Sequence, residues 1–368
     1  MRCCATWRRP SARGSATMAV PPGSNWAWTN SIACSCVGAE RGLGDAMRIP
    51  MPGTAMMKLA IAMLLGGVLV ACGADRDERA RELVRVDAFH QENSAWQADR
   101  LERLMRPDGW LALVSRDWLV PGRHAFGGGE AVRYRFDPAE AAVGELELVG
   151  TRVVLHPLPG HALRFQGAGV VAPMDLTPPD AGASPRIGFD EGRGRFEVIR
   201  RGERFALRVM HDESPTRTGF VGLEYFPAEP GWRIEADFHA HAPGRTIPII
   251  NVLGDEEATV NPGRIEFERD GERHSLEALE GPDGTFFVVY ADRTNGRDTY
   301  AGGRFLYTAP PEDGRVVIDF NRGYNPPCAF SAYTTCPLPP PENRLDLVID
   351  AGERAYAGPS PAAAYQLQ

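Results

Sequence analysis

Glycine-centred turn dipeptides constrain this chain more than any other feature. Gly202 between Arg201 and Glu203, then Asp270-Gly271, Asp283-Gly284, Asn295-Gly296 and Asp313-Gly314, supply the positive φ that tight hairpins demand. Between them, apolar and polar residues alternate with a period of two, the mark of strands buried on one face. The runs 133–136, 151–156, 195–201 and 204–210 read this way, as do 232–239, 264–268, 285–290, 300–307 and 315–320. With 31 prolines and 40 glycines in 368 residues, long helices have little room. The chain is predicted to be all-β, built mostly of antiparallel sandwich or barrel-like sheets, with one N-terminal amphipathic helix. That helix is expected over 75–106, where Leu83, Val86, Phe89, Trp96, Leu101 and Leu104 recur at near-helical spacing and Pro107-Asp108-Gly109 ends it. Its apolar stripe is expected to dock on the β body.

Ahead of the helix the text is of a different kind. Residues 1–55 mix Arg, Gly, Ser and Pro with Cys3, Cys4, Cys34 and Cys36 and show no periodicity; they read as a mis-annotated or disordered leader. From Met56, Met57-Lys58 forms a short positive segment and Leu59 to Val70 an apolar run of roughly a dozen residues, shorter than the about 20 needed to span a bilayer. The run ends in Leu69-Val70-Ala71-Cys72, which resembles the lipobox of bacterial lipoproteins. The resemblance implies a signal peptide over 56–71, cleavage before Cys72 and acylation of its thiol with diacylglycerol and palmitate. Gly73, rather than Asp, in the next position implies the outer membrane, facing the periplasm.

Removing that leader takes away six arginines and Lys58 against Glu40 and Asp45, leaving 33 basic and 46 acidic residues, a net of −13. Such an acidic balance argues against nucleic acid as a partner. Lys58 is the one lysine in the sequence, so every cation other than histidine in the mature chain is an arginine. Schiff-base chemistry and a phosphate-loop lysine are thereby excluded. Of seven cysteines, Cys328 and Cys336 remain after lipidation of Cys72, and in an oxidising compartment the pair is expected to form a disulfide.

The expected organisation is an anchor and helix over 72–106, an early β lobe over 107–212, a late β lobe over 213–357 and a disordered tail over 358–368. The polar run His211-Asp212-Glu213-Ser214-Pro215 marks the passage between lobes. In the early lobe, Phe126-Gly127-Gly128 followed by short strands resembles the forkhead-associated sandwich, although the Gly-Arg pair and the Ser and His that read phosphate there are missing.

The most distinctive text is Asp319-Phe320-Asn321-Arg322-Gly323-Tyr324-Asn325-Pro326-Pro327-Cys328, continued by Cys336-Pro337-Leu338-Pro339-Pro340-Pro341-Glu342-Asn343-Arg344. With Thr299-Tyr300-Ala301-Gly302-Gly303-Arg304 and Gly222-Leu223-Glu224-Tyr225-Phe226-Pro227, it resembles the bacterial and archaeal family called domain of unknown function 1684, over about 80–356. The resemblance implies no activity and no cofactor.

Read by chemistry, this motif is a strand end leading into a proline-stiffened loop dense in polar groups, one way a scaffold presents a site. Asp319, Asn321, Tyr324, Asn325, Glu342 and Asn343, with Tyr300 and Arg304, are the candidate ligand-binding residues. The same groups could instead satisfy buried backbone. Asp237, His239 and His241 share one strand face, but chance alternation explains them and no metal is expected. No nucleophile motif is present. Two functions follow: a membrane-anchored module that binds a small molecule or envelope polymer, or a hydrolase using Asp319 and Glu342. Whether the chain is an enzyme and its oligomeric state stay open.

Overall fold

The computed structural model describes residues 78, 82–139, 142–179 and 182–359. Cys72, the apolar run before it and residues 360–368 lie outside the described residues; among the described residues no helix is long and apolar enough to cross a membrane.

Helix α1 covers 82–105 and ends at Pro107, as the sequence predicts. Its buried face differs from the expected stripe. Leu83 and Leu101 are 66% and 41% exposed, whereas Phe89, Asn93, Arg100 and Leu104 are buried. The steps of four, seven and four still trace one helical face, but half of that face is polar.

Eleven strands form the early lobe: β1 (Leu113–Trp118), β2 (Gly122–Gly127), β3 (Tyr134–Arg135), β4 (Gly144–Val149), β5 (Arg152–Pro157), β6 (Arg164–Phe165), β7 (Ala168–Gly169), β8 (Met174–Asp175), β9 (Ile187–Phe189), β10 (Gly194–Arg201) and β11 (Arg204–His211). They make a six-stranded sheet, β1-β11-β10-β9-β6-β7, and a five-stranded sheet, β3-β2-β4-β5-β8. All ladders are antiparallel except β2–β3. The sheets share one core, with Phe126 of β2 edge-on to Phe196 of β10 at 4.8 Å. Period-two alternation turns Phe205, Leu207 and Val209 of β11 into this core. Ala206, Arg208 and Met210 are thereby placed on the sheet's outer face.

The late lobe has eight: β12 (Arg233–Ala240), β13 (Thr246–Ile250), β14 (Glu256–Val260), β15 (Gly263–Arg269), β16 (Glu272–Glu280), β17 (Phe286–Tyr290), β18 (Arg304–Thr308) and β19 (Arg315–Asp319). Six run β18-β17-β16-β15-β12-β19 in a half-barrel-like antiparallel sheet, and β13–β14 is a separate hairpin. Asp270-Gly271 (φ 56° and 79°) joins β15 to β16, and Asp313-Gly314 (φ 49° and 77°) joins β18 to β19, as their sequences require. The strand expected over 300–307 begins at Arg304 instead. Gly303 has φ +95°, and a side chain there would run into Pro339 and the Tyr290 carbonyl, so the chain turns before it can pair.

Alternation again separates two faces. Phe286, Val288, Tyr290 and Leu306 pack inside the half-barrel with Trp232, Ile265 and Phe320. Phe287, Val289, Phe305 and Tyr324 pack on its outside with Cys328 and Cys336.

Candidate functional site

The long motif after β19 folds as a chain of short turns, and most of its polar groups are occupied. Asp319 caps the turn Phe320–Arg322: its Oδ1 accepts from the Asn321 backbone N–H at 3.1 Å and the Asn321 amide at 2.9 Å. Asn321 also bridges both backbone groups of Glu229, at 2.9 Å each. Asn343 is fully buried; it accepts from the Glu277 N–H at 2.6 Å and donates to the Glu277 and Val289 carbonyls at 2.9 Å. Asn325 donates to the Arg354 carbonyl at 2.7 Å, while its backbone N–H donates to Glu353 at 2.8 Å. Arg304, fully buried, is paired with Asp292 and donates to the Ala351 and Ile349 carbonyls. Tyr300 packs half-buried beside Leu111 and Phe330, and Glu342 is exposed.

Cys328 and Cys336 are buried neighbours with free thiols. The Cys336 N–H points at the Cys328 sulfur at 3.3 Å, the Cys328 N–H at the Cys336 sulfur at 3.1 Å, and the Thr334 hydroxyl donates to Cys328 at 2.8 Å. The Cys336 hydrogen bond, helped by Thr334 and Arg116, lowers the Cys328 pKa despite burial. Burial raises that of Cys336. Asp237, His239 and His241 are separately engaged, with Arg315, Glu266 and Glu277 respectively.

Of the expected site residues, Tyr324 borders a substantial cavity. That cavity is a cleft of about 870 Å³ with three walls. Trp96, Arg100, Arg103 and Leu104 come from α1; Arg186, Arg208 and Met210 come from the early lobe; Phe287, Phe305, Tyr307 and Tyr324 come from the outer face of the late lobe. The late-lobe wall is an aromatic row: Phe287 stacks on Tyr307 at 4.9 Å, Tyr307 faces Tyr324 at 6.4 Å and 16°, and the Arg100 guanidinium lies 4.6 Å over Tyr324. Tyr307 remains 44% exposed and Trp110, at the mouth, 39%. Burial raises the Tyr307 hydroxyl above the ordinary tyrosine range and the Tyr324 hydroxyl well above it, so both stay neutral. A second depression, about 710 Å³, has a single arginine, Arg135, and a single carboxylate, Asp137.

Six arginines line the cleft, namely Arg100, Arg103, Arg106, Arg186, Arg208 and Arg322, against one carboxylate, Asp108. Two of the carboxylates that answer these cations lie behind the wall, whereas Asp99 and Glu92, paired with Arg103 and Arg322, are exposed. Glu353, fully buried, accepts from Arg100 at 2.8 Å, and Glu197 accepts from Arg186 at 2.9 Å and Arg208 at 2.7 Å. Burial opposes the charge of Arg100 and of Arg186, but their acidic partners outweigh it and the pKa of each is raised. None of these residues except Tyr324 stands out in the sequence as a site. The available signal was Arg208 at an outward position of β11, where a half-buried strand presents charge to a facing wall.

No curated protein matches the chain. The solution NMR structure of an uncharacterized protein of Haloarcula marismortui is 34% identical, covering 38% of this chain and 78% of that one, with a TM-score of 0.32. Residues 218–354 match the family described as "Protein of unknown function (DUF1684)"; the match holds the aromatic row and Arg322, while α1 and the early lobe lie outside it.

Proposed function

We propose that this protein is a cell-envelope module that binds a small molecule in the cleft between α1 and the two lobes. The observation that carries the reading is the aromatic row: Phe287, Tyr307 and Tyr324 line about 870 Å³ of open space, and Tyr307 stays exposed where a core residue would be covered. Concave, aromatic-lined spaces of this size take ligands of a few hundred daltons. Binding is favoured over hydrolysis because Asp108, the one carboxylate on the wall, is held by Arg106 and Arg186, and no second carboxylate faces it. Asp319 is spent as a cap and Glu342 lies outside the cleft.

In this reading Cys72 carries the lipid, which keeps the cleft at the membrane surface, and Cys328 and Cys336 join under oxidising conditions. A thermal-shift screen of envelope sugars, lipids and their fragments tests the binding role, because a ligand of the native state raises its melting temperature. At least one class should stabilise the full-length protein and leave Tyr307→Asp unmoved. If no class shifts the wild type, or every hit shifts both proteins equally, the cleft is not the site.

A further inference from the structure

Resting on that cleft reading, we infer that the ligand is an anion with a flat apolar body, its acidic group held by guanidinium groups led by Arg322 and its body laid on the Phe287–Tyr307–Tyr324 row. The lining is strongly unbalanced, six arginines to one carboxylate, in a chain that is acidic overall. Clefts lined by one sign of charge concentrate the opposite sign in solution.

The placement of counter-ions sharpens the argument. Glu197 and Glu353 are buried behind the arginines they pair with and are not on the cleft wall, so the guanidinium groups rather than the carboxylates front the cleft. One further cation stands beside this wall. Arg116 stands opposite Arg208 on the neighbouring strand, and its Nε and Nη1 are buried without hydrogen-bond partners. Like charges opposed across a ladder are unfavourable; Glu197 offsets Arg208, and a nearby anion adds to that offset.

Arg322 is the least committed group. Its Nε is buried with no hydrogen-bond partner, and its acidic neighbours stand at ion-pair rather than hydrogen-bond distance, Asp319 at 3.5 Å and Glu92 at 3.9 Å. A planar guanidinium fork with donors to spare suits a carboxylate, sulfonate or phosphate, bound bidentately. Two residues along the chain, Tyr324 continues the aromatic row, so head and body sites are contiguous.

Two fluorescent probes of matched shape separate this inference from the cleft reading beneath it: 1-anilinonaphthalene-8-sulfonate, an anion, and neutral N-phenyl-1-naphthylamine. Each is titrated into the folded full-length protein at low salt and again at high salt. The sulfonate should bind at least about tenfold more tightly than the amine, as one charge-assisted pair implies. Arg322→Gln should remove that preference while leaving the amine within about twofold. The exposed helix variant Arg103→Gln should reduce the preference in the same direction, which keeps the test decisive if Arg322→Gln folds poorly. Raised salt should weaken the sulfonate alone. Equal binding of the two probes, or a preference untouched by both variants, overturns the anion inference and leaves the cleft reading standing. Binding of neither probe overturns both.

Discussion

Asparagine side chains illustrate how a polar motif can be read in two ways. Asn343 satisfies three backbone groups on β16 and β17 that would otherwise be buried unpaired. Asn343→Ala should therefore cost about 2–4 kcal/mol, the sum of lost hydrogen bonds and desolvated orphans. Exposed Glu342, one residue away, should cost under about 0.5 kcal/mol when changed to Ala. Urea unfolding of the two variants checks the contrast; equal effects would mean that Asn343 is not a tie. The sequence announced that this segment is dense in polar groups, but the partners of Asn321 and Asn343 are 92 and 66 residues away along the chain. No local spacing encodes such a pairing, so tie and ligand contact look alike until the fold is known.

At the scale of elements, α1 shows the same limit from the other side. Its stop before Pro107 is local chemistry and was legible. Which face it buries is decided by what it meets, and what it meets is Glu353 and the Tyr324 ring, so Arg100 goes in and Leu101 stays out. Arg100→Met leaves Glu353 buried without its ion pair and should destabilise by about 3–5 kcal/mol. Leu101→Ala should lose well under about 1 kcal/mol, because the side chain is already largely in water. Chemical denaturation of both variants measures the difference, and a larger loss for Leu101→Ala would contradict the docking of this face. The strand alternation fared better than the helix stripe, since a period of two fixes both faces at once: Phe287 and Val288 point to opposite sides of β17 whatever packs on them. The loop after β19 carries its own test. Oxidation of Cys328 and Cys336 should contribute about 2–3 kcal/mol by closing a short loop, and mass spectrometry of exported, unreduced protein should find two hydrogens missing. Two free thiols there would contradict the disulfide.

The whole molecule sets its response to pH and its address. Asp175 is held at a pKa of about 2 by the Thr177 hydroxyl and by Arg152. The carboxyl of Asp190 is lowered by its hydrogen bond from His211 and by Arg193; in Asp108, Arg106 and Arg186 outweigh burial. Folded-state values below the unfolded ones stabilise the protein at every pH above the ordinary carboxylate range, about 4, and that stability drains as pH falls toward about 2. The urea midpoint should thus hold steady down to about pH 5 and then decline; a midpoint that rises on acidification would contradict these pairings. Because every lining cation is an arginine, capture of a sulfonate should not vary between about pH 5 and 9. Anchoring is tested separately: palmitate should label the full-length chain and not Cys72→Ser, and equal labelling would end the lipoprotein reading.

The central claim, that the cleft between α1 and the lobes is where a ligand sits, is tested most directly by photo-cross-linking with 4-benzoylbenzoate, an anionic aromatic probe, followed by peptide mapping. The label should fall on peptides carrying Trp110, Phe287, Phe305 or Tyr307 and disappear in Tyr307→Asp. Label spread over unrelated surface peptides, or undiminished in that variant, would contradict it.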